Sequence, residues 1–140
     1  MLQWTSALAI GVPEIDAQHQ ELFRRVDRLA EQLVAEDRAG TQRTLAFLRE
    51  YVVVHFAAEE RLMEETAYAG LAVHLEEHRR FTGVVRTIDR QLRDGAPVGP
   101  ILQRLEREVA AWLRDHVATI DRALGRHLAA RPPPRIARLA

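Results

Sequence analysis

The sequence predicts an all-α fold: an antiparallel up-down-up-down four-helix bundle with an N-terminal arm and a short C-terminal tail. Three observations predict it. Four stretches carry inward-facing residues in alternating steps of three and four, the spacing that lines one face of a helix. The connections between them are short and rich in glycine, proline or polar residues. The length of 140 residues suits one domain with a single sizeable core. With no internal repeat and no second domain, the chain divides into a bundle over 1–130 and a tail over 131–140.

Residues 1–14 read as an extended arm, because Gly11 and Pro13 discourage helix and Trp4 offers an anchor. Asp16 suits the N-cap of a first helix over 16–36, whose stripe is Ile15, His19, Leu22, Val26, Leu29 and Leu33. The polar run Glu36-Asp37-Arg38-Ala39-Gly40 ends it. Thr41 then caps a second helix over 41–65, with Leu45, Leu48, Val52, His55, Glu59 and Leu62 inward. A break over 66–70 leads to a third helix over 71–93, with Leu71, His74, His78, Phe81, Val85, Ile88 and Leu92 inward. Asp94-Gly95-Ala96-Pro97-Val98-Gly99-Pro100 forms a loop. The fourth helix, over 101–128, turns Leu105, Val109, Trp112, His116, Ile120 and Leu124 inward, and Arg131-Pro132-Pro133-Pro134 stops it.

Composition narrows the function. Twenty basic residues, all arginine, balance twenty acidic ones, so no net field draws nucleic acid or an anionic membrane. The absence of cysteine removes disulfides, thiolate metal sites, iron–sulfur clusters and thiol nucleophiles together. No apolar run reaches the ~18 residues of a spanning helix, so membrane insertion is not expected. Residues 1–13 lack a basic and apolar leader pattern, and the cytoplasm is the expected compartment. No protein partner can be named from the sequence.

Each helix places histidine on its core seam: His19, His55, His74 with His78, and His116. Glu59 shares the seam of His55, one turn away. At about 1.5 Å rise per residue, these positions fall at one end of an antiparallel bundle and form one layer. Asp121, five residues after His116, converges on that layer less well than the four-residue pairs on a regular helix, and a π-bulge between them, a feature favoured at functional sites, would repair this. The sixth histidine, His127, fits a solvated or C-terminal charge-complementing role.

One core histidine alone is ordinarily a hydrogen-bonded core residue. Five at one level with two carboxylates would carry a very large desolvation cost, which bound metal removes. Imidazole and carboxylate without thiolate suit iron, manganese, zinc or copper, and seven ligands are too many for one ion. Two ions bridged by Glu59 and Asp121 fit the number. The ferritin-type di-iron bundles rely mostly on carboxylates, so five histidines mark a different site.

The pattern Trp4…Gly11-Val12…Ile15-Asp16-x-Gln18-His19, Tyr51-x-x-x-His55-Phe56-x-x-Glu59-Glu60-x-x-Met63, His74-x-x-x-His78-x-x-Phe81 and Trp112-Leu113-x-x-His116-x-x-x-x-Asp121 resembles the bacterial branch of the hemerythrins. The resemblance implies a non-haem di-iron centre (Fe2+/Fe3+, with an oxo or hydroxo bridge) that binds dioxygen reversibly for transport, storage or delivery. It implies that His74, His78 and His116 hold one iron, that His19 and His55 hold the other, and that Glu59 and Asp121 bridge them. Five imidazoles, two bridging carboxylates and one bridging oxygen then leave a single open position, on the two-histidine iron. Leu22, Phe56, Trp112, Leu113 and Val117 match the family's apolar pocket lining. Asp16, Gln18, Glu60, Glu77 and Tyr68 are candidates to orient the outer imidazole nitrogens. No catalytic residue is expected. The alternatives are a redox or oxygen sensor, and an oxidase, peroxidase or nitric-oxide-handling protein built on the same metals.

Overall fold

The computed structural model describes residues 2–131, and among these there are helices and no strand. Four long helices run as α1 (Pro13–Val34), α2 (Arg38–Glu65), α3 (Leu71–Arg93) and α4, an unbroken run from Val98 to Ala129. Helix α4 alternates α and π geometry: π turns span Leu105–Ala110 and Val117–Asp121. Helix α1 packs on α2, α2 on α3, and α4 on both α1 and α3. With short connections, this closes an antiparallel bundle. No described helix is long and apolar enough to cross a membrane. The expected Pro132–Pro134 stop and the tail over 132–140 lie outside the described residues.

Helix starts differ from the sequence expectation for local reasons. Helix α1 begins at Pro13, whose fixed φ suits the first helical position. Asp16 therefore lies inside the first turn, and its carboxylate accepts the backbone N–H groups of Ile10 (2.8 Å) and Gly11 (3.3 Å). Helix α2 begins at Arg38, and the cap is Asp37 instead of Thr41: its carboxylate accepts the Gly40 N–H at 2.9 Å. Gly40 is no break but a buried helical residue, because a Cβ there would collide with the side chains of Asp37 and Gln32. Helix α4 starts at Val98, placing Pro100 in the first turn, where a backbone N–H has no helical partner to lose.

The arm is not wholly extended. It makes a 3-10 turn at Ser6–Leu8, and Arg122 donates to the Ala7 carbonyl. Gly125 makes room for this arm: a Cβ there would strike the Ile10 carbonyl oxygen.

The stripes bury as expected on α1, where all six residues are inside. At the end of the α2 stripe Met63 is fully buried, and Leu62, expected there, is half-buried. Leu71 and Leu92, at the two ends of α3, are also half-buried. On α4 the π turns rotate the seam. Leu113, Val117 and Asp121 are buried, whereas Trp112 and Ile120, both expected inside, are half-buried.

Candidate metal centre

All four helices send polar side chains into one layer of the core. His19 comes from α1, His55 and Glu59 from α2, His74 and His78 from α3, and His116 and Asp121 from α4. All seven are buried, and Glu59 and Asp121 are 0% exposed. On α2 and α3, four-residue spacing stacks each pair on one helix face. His116 and Asp121 are five residues apart, and the π turn Val117–Asp121 brings them onto the same face.

The carboxylates divide the five histidines into two sets. Glu59 turns Oε1 toward His19 Nε2 (3.2 Å) and His55 Nε2 (2.9 Å), and Oε2 toward His74 Nε2 (3.3 Å) and His78 Nε2 (3.0 Å). Asp121 turns Oδ2 toward His19 Nε2 (3.1 Å) and Oδ1 toward the Nε2 atoms of His74 and His116 (both 3.0 Å). Two groups capable of holding a cation result: His74, His78 and His116 with both carboxylates, and His19 and His55 with both carboxylates.

Hydrogen bonding does not account for this cluster. Glu59 Oε2, both Asp121 oxygens and the Nε2 atoms of His74, His78 and His116 are buried without a hydrogen-bond partner. Leaving such groups unsatisfied costs on the order of 1–3 kcal/mol each. The spacings are those of neighbouring ligands on an octahedral ion, since bonds of about 2.1 Å at right angles separate donor atoms by about 3.0 Å. Nitrogen and oxygen donors without sulfur suit a first-row ion of intermediate hardness, iron included. The residues therefore fit a pair of metal ions.

The electrostatics point the same way. Burial is the largest influence on His19 and acts to lower its pKa, but contact with Asp121 and Glu59 outweighs it and raises the value to about 9. His74 reaches about 9 by the same balance. Burial acts to raise the pKa of Glu59, and the His55, His19 and His74 imidazoles beside it hold it well below its ordinary value. Asp121 is likewise lowered, against burial and the Glu59 charge, by His116, His19 and His74. The carboxylates thus retain protons on imidazoles that must be neutral to ligate metal, so protons and metal compete for the site.

Of the five candidates for outer support, three face ring nitrogens. Gln18 Oε1 lies 2.7 Å from His55 Nδ1, and Glu60 Oε1 lies 3.2 Å from His78 Nδ1. Glu77 Oε2 accepts the Trp112 indole N–H at 3.1 Å and stands 3.9 Å from His116 Nδ1. Asp16 is engaged with the arm, and Tyr68 lies against His127, not the cluster. His127 is not simply solvated: it is half-buried, with Nε2 3.1 Å from Thr66 Oγ1.

Four of the five proposed pocket residues, Leu22, Phe56, Leu113 and Val117, belong to one buried apolar cluster, and Trp112 packs against it. Phe56 stacks on His78 with ring centroids 3.8 Å apart, and Trp112 on His116 at 4.3 Å. The aromatic members thus lie flat on rings of the three-histidine set, a contact that spacing alone did not reveal.

Comparison with known proteins agrees with this geometry. The family described as "Hemerythrin HHE cation binding domain" matches residues 10–128. A bacteriohemerythrin of Methylococcus capsulatus is 30% identical over 93% of this chain and 98% of its own. One from Stenotrophomonas maltophilia is 31% identical over 88% of this chain and 78% of its own. A myohemerythrin of Riftia pachyptila is 31% identical over 84% and 86% of the two chains. A crystal structure of wild-type hemerythrin superposes with a TM-score of 0.80 at 28% identity, covering 93% of this chain and 99% of its own.

Proposed function

This chain belongs to the hemerythrin family, and from that premise we propose that it binds dioxygen reversibly at a pair of iron ions. His74, His78 and His116 would hold one ion, His19 and His55 the other, and Glu59 and Asp121 would tie the two together. One observation carries the reading: each carboxylate turns one oxygen to either histidine set. A pair of ferrous ions held by these residues would supply the two electrons that reversible uptake of dioxygen requires.

The chain's own residues favour binding over turnover. Leu22, Phe56, Leu113 and Val117 bring no proton donor to the centre, and their burial excludes water. The single polar group among the proposed lining residues, the Trp112 indole N–H, is committed to Glu77. The carrier reading thus stands ahead of oxidase, peroxidase or nitric-oxide chemistry on the same residues. Dioxygen is the proposed partner and the cytoplasm the proposed compartment, which fractionation of cells expressing the full chain tests. Residues 1–130 are the proposed functional bundle, and 131–140 a separate tail.

The test is the visible spectrum of the iron-loaded, reduced chain before oxygen, after oxygen, and after oxygen is removed under vacuum. A charge-transfer band that appears and disappears over repeated cycles supports a carrier. Irreversible oxidation with peroxide release, or turnover of a co-substrate, overturns it.

A further inference from the structure

We propose that Glu60, Glu77 and Gln18 are positioning residues that make the two metal positions unequal, with carboxylates behind the three-histidine set and a neutral amide behind the two-histidine set. The inference rests on the reading that two irons occupy the site.

Histidines that face the cluster through Nε2 carry their proton on Nδ1, so whatever accepts or faces that proton tunes the ring as a ligand. Behind the two-histidine set, His55 Nδ1 meets the amide oxygen of Gln18 at 2.7 Å, and His19 Nδ1 is buried without a hydrogen-bond partner. Behind the three-histidine set, His78 Nδ1 meets the Glu60 carboxylate at 3.2 Å. His116 Nδ1 has the Glu77 carboxylate at 3.9 Å, too far for a hydrogen bond but close enough for its charge to act. His74 Nδ1 has no hydrogen-bond partner. Among the described residues, a carboxylate therefore stands within 3.9 Å of an outer ring nitrogen in the three-histidine set and not in the two-histidine set.

The arrangement is fixed by packing. The Trp112 indole N–H holds Glu77, and the same indole stacks on the His116 ring with planes 15° apart. Glu60 directly follows Glu59, so one turn of α2 supplies both the proposed bridge and the support for a terminal imidazole. A carboxylate drawing on the Nδ1 proton makes the imidazole a stronger electron donor and favours a trivalent ion over a divalent one. An amide oxygen carries no formal charge and favours the trivalent ion far less. An ion held by the three-histidine set would thereby be biased toward the ferric state, and one held by the two-histidine set toward the ferrous state.

Three variants of the full chain test this: Glu60→Gln and Glu77→Gln, which remove charge, and Gln18→Glu, which adds it to the other set. Outer-shell substitutions at metal sites typically change affinity about 10–100-fold. A tenfold greater effect on Fe(III) than on Fe(II) is a shift of about 59 mV for one electron. Redox titration of the iron-loaded chains should move the potential upward in both glutamate variants and downward in Gln18→Glu. Competition for Zn2+ by a chelator, independent of oxygen binding, should show about tenfold weaker binding in Glu60→Gln. Unmoved potentials, or shifts of one sign in all three variants, overturn the proposal. If a glutamate variant fails to fold, Gln18→Glu decides alone, since the absence of a downward shift there overturns it. A wild-type chain that loads two irons but fails to release oxygen sinks the carrier reading and leaves this comparison standing. An intact oxygen cycle with unmoved potentials sinks this inference alone.

Discussion

Competition between protons and metal sets a measurable pH dependence on metal uptake by the apo chain. His19 and His74 each have a pKa raised to about 9, because the attraction of Asp121 and Glu59 exceeds the effect of burial. At pH 7 both rings are mostly protonated in the apo chain, and both must lose that proton to ligate through Nε2. Glu59 and Asp121 have lowered pKa values and are already ionised, so they release none. Uptake at pH 7 therefore releases at least two protons per site. Each deprotonation costs about 3 kcal/mol at two units below its pKa, which makes the apparent affinity rise steeply with pH, about tenfold per proton released for each pH unit, and level off above about 9. Calorimetric titration of anaerobic apo chain with Fe(II) or Zn2+, in buffers of different ionisation enthalpy, counts the protons. A count near zero, or an affinity that does not rise between pH 6.5 and 9, refutes the role assigned to these two histidines.

The same shifts act on the stability of the apo chain. Since the folded values for His19 and His74 lie above the ordinary 6.5, their stabilising contribution is complete below pH 6.5 and is lost as pH rises through about 9. The apo melting temperature should fall over that window, and the metal-loaded chain, its imidazoles already deprotonated, should not follow it. His74→Ala should lose iron while His127→Ala keeps it, because His127 bonds to Thr66 away from the cluster. Equal iron content by elemental analysis would defeat the ligand assignment. Glu36 ends α1 at φ 54, a left-handed conformation that costs a non-glycine residue about 1–2 kcal/mol. Glu36→Gly should therefore raise the melting temperature by roughly 3 °C after the greater unfolded-state entropy of glycine is offset. A lowered melting temperature would count against that termination geometry.

Helix termini mark where the sequence stops being readable. Helices α1, α2 and α3 all end by the same device: a residue with positive φ whose N–H reaches back three residues, followed by one reaching back five. Those residues are Glu36, Ala67 and Gly95. Only the third announces itself, because only glycine occupies that region without a steric cost. A search for terminating glycine therefore finds Gly95 correctly and misreads Gly40, which is glycine because Asp37 and Gln32 crowd it inside a helix. Composition names the residue but not which of two constraints demanded it.

The clustered histidines and Glu59 were legible for the opposite reason, since each is a polar exception on an otherwise apolar periodic seam. The π turn Val117–Asp121 could be inferred because His116 and Asp121, candidate ligands five residues apart, do not share a face of a regular helix. The other π turn, Leu105–Ala110, buries only Leu105 and Val109 and has no such chemical marker. It went unseen, and with it the rotation that buries Leu113 and Val117 in place of a fully buried Trp112 and Ile120. That rotation matters to the centre. It leaves Trp112 at the edge of the core, where one face of the indole covers His116 and its N–H still reaches Glu77. The outer support of the imidazoles was legible only as five candidates, Asp16, Gln18, Glu60, Glu77 and Tyr68, because spacing does not choose among them, and three of the five face ring nitrogens. The choice depends on where a side chain ends: for Glu77 the register of α4 decides, since Trp112 and His116 lie on that helix, whereas Gln18 and Glu60 meet rings carried by α2 and α3.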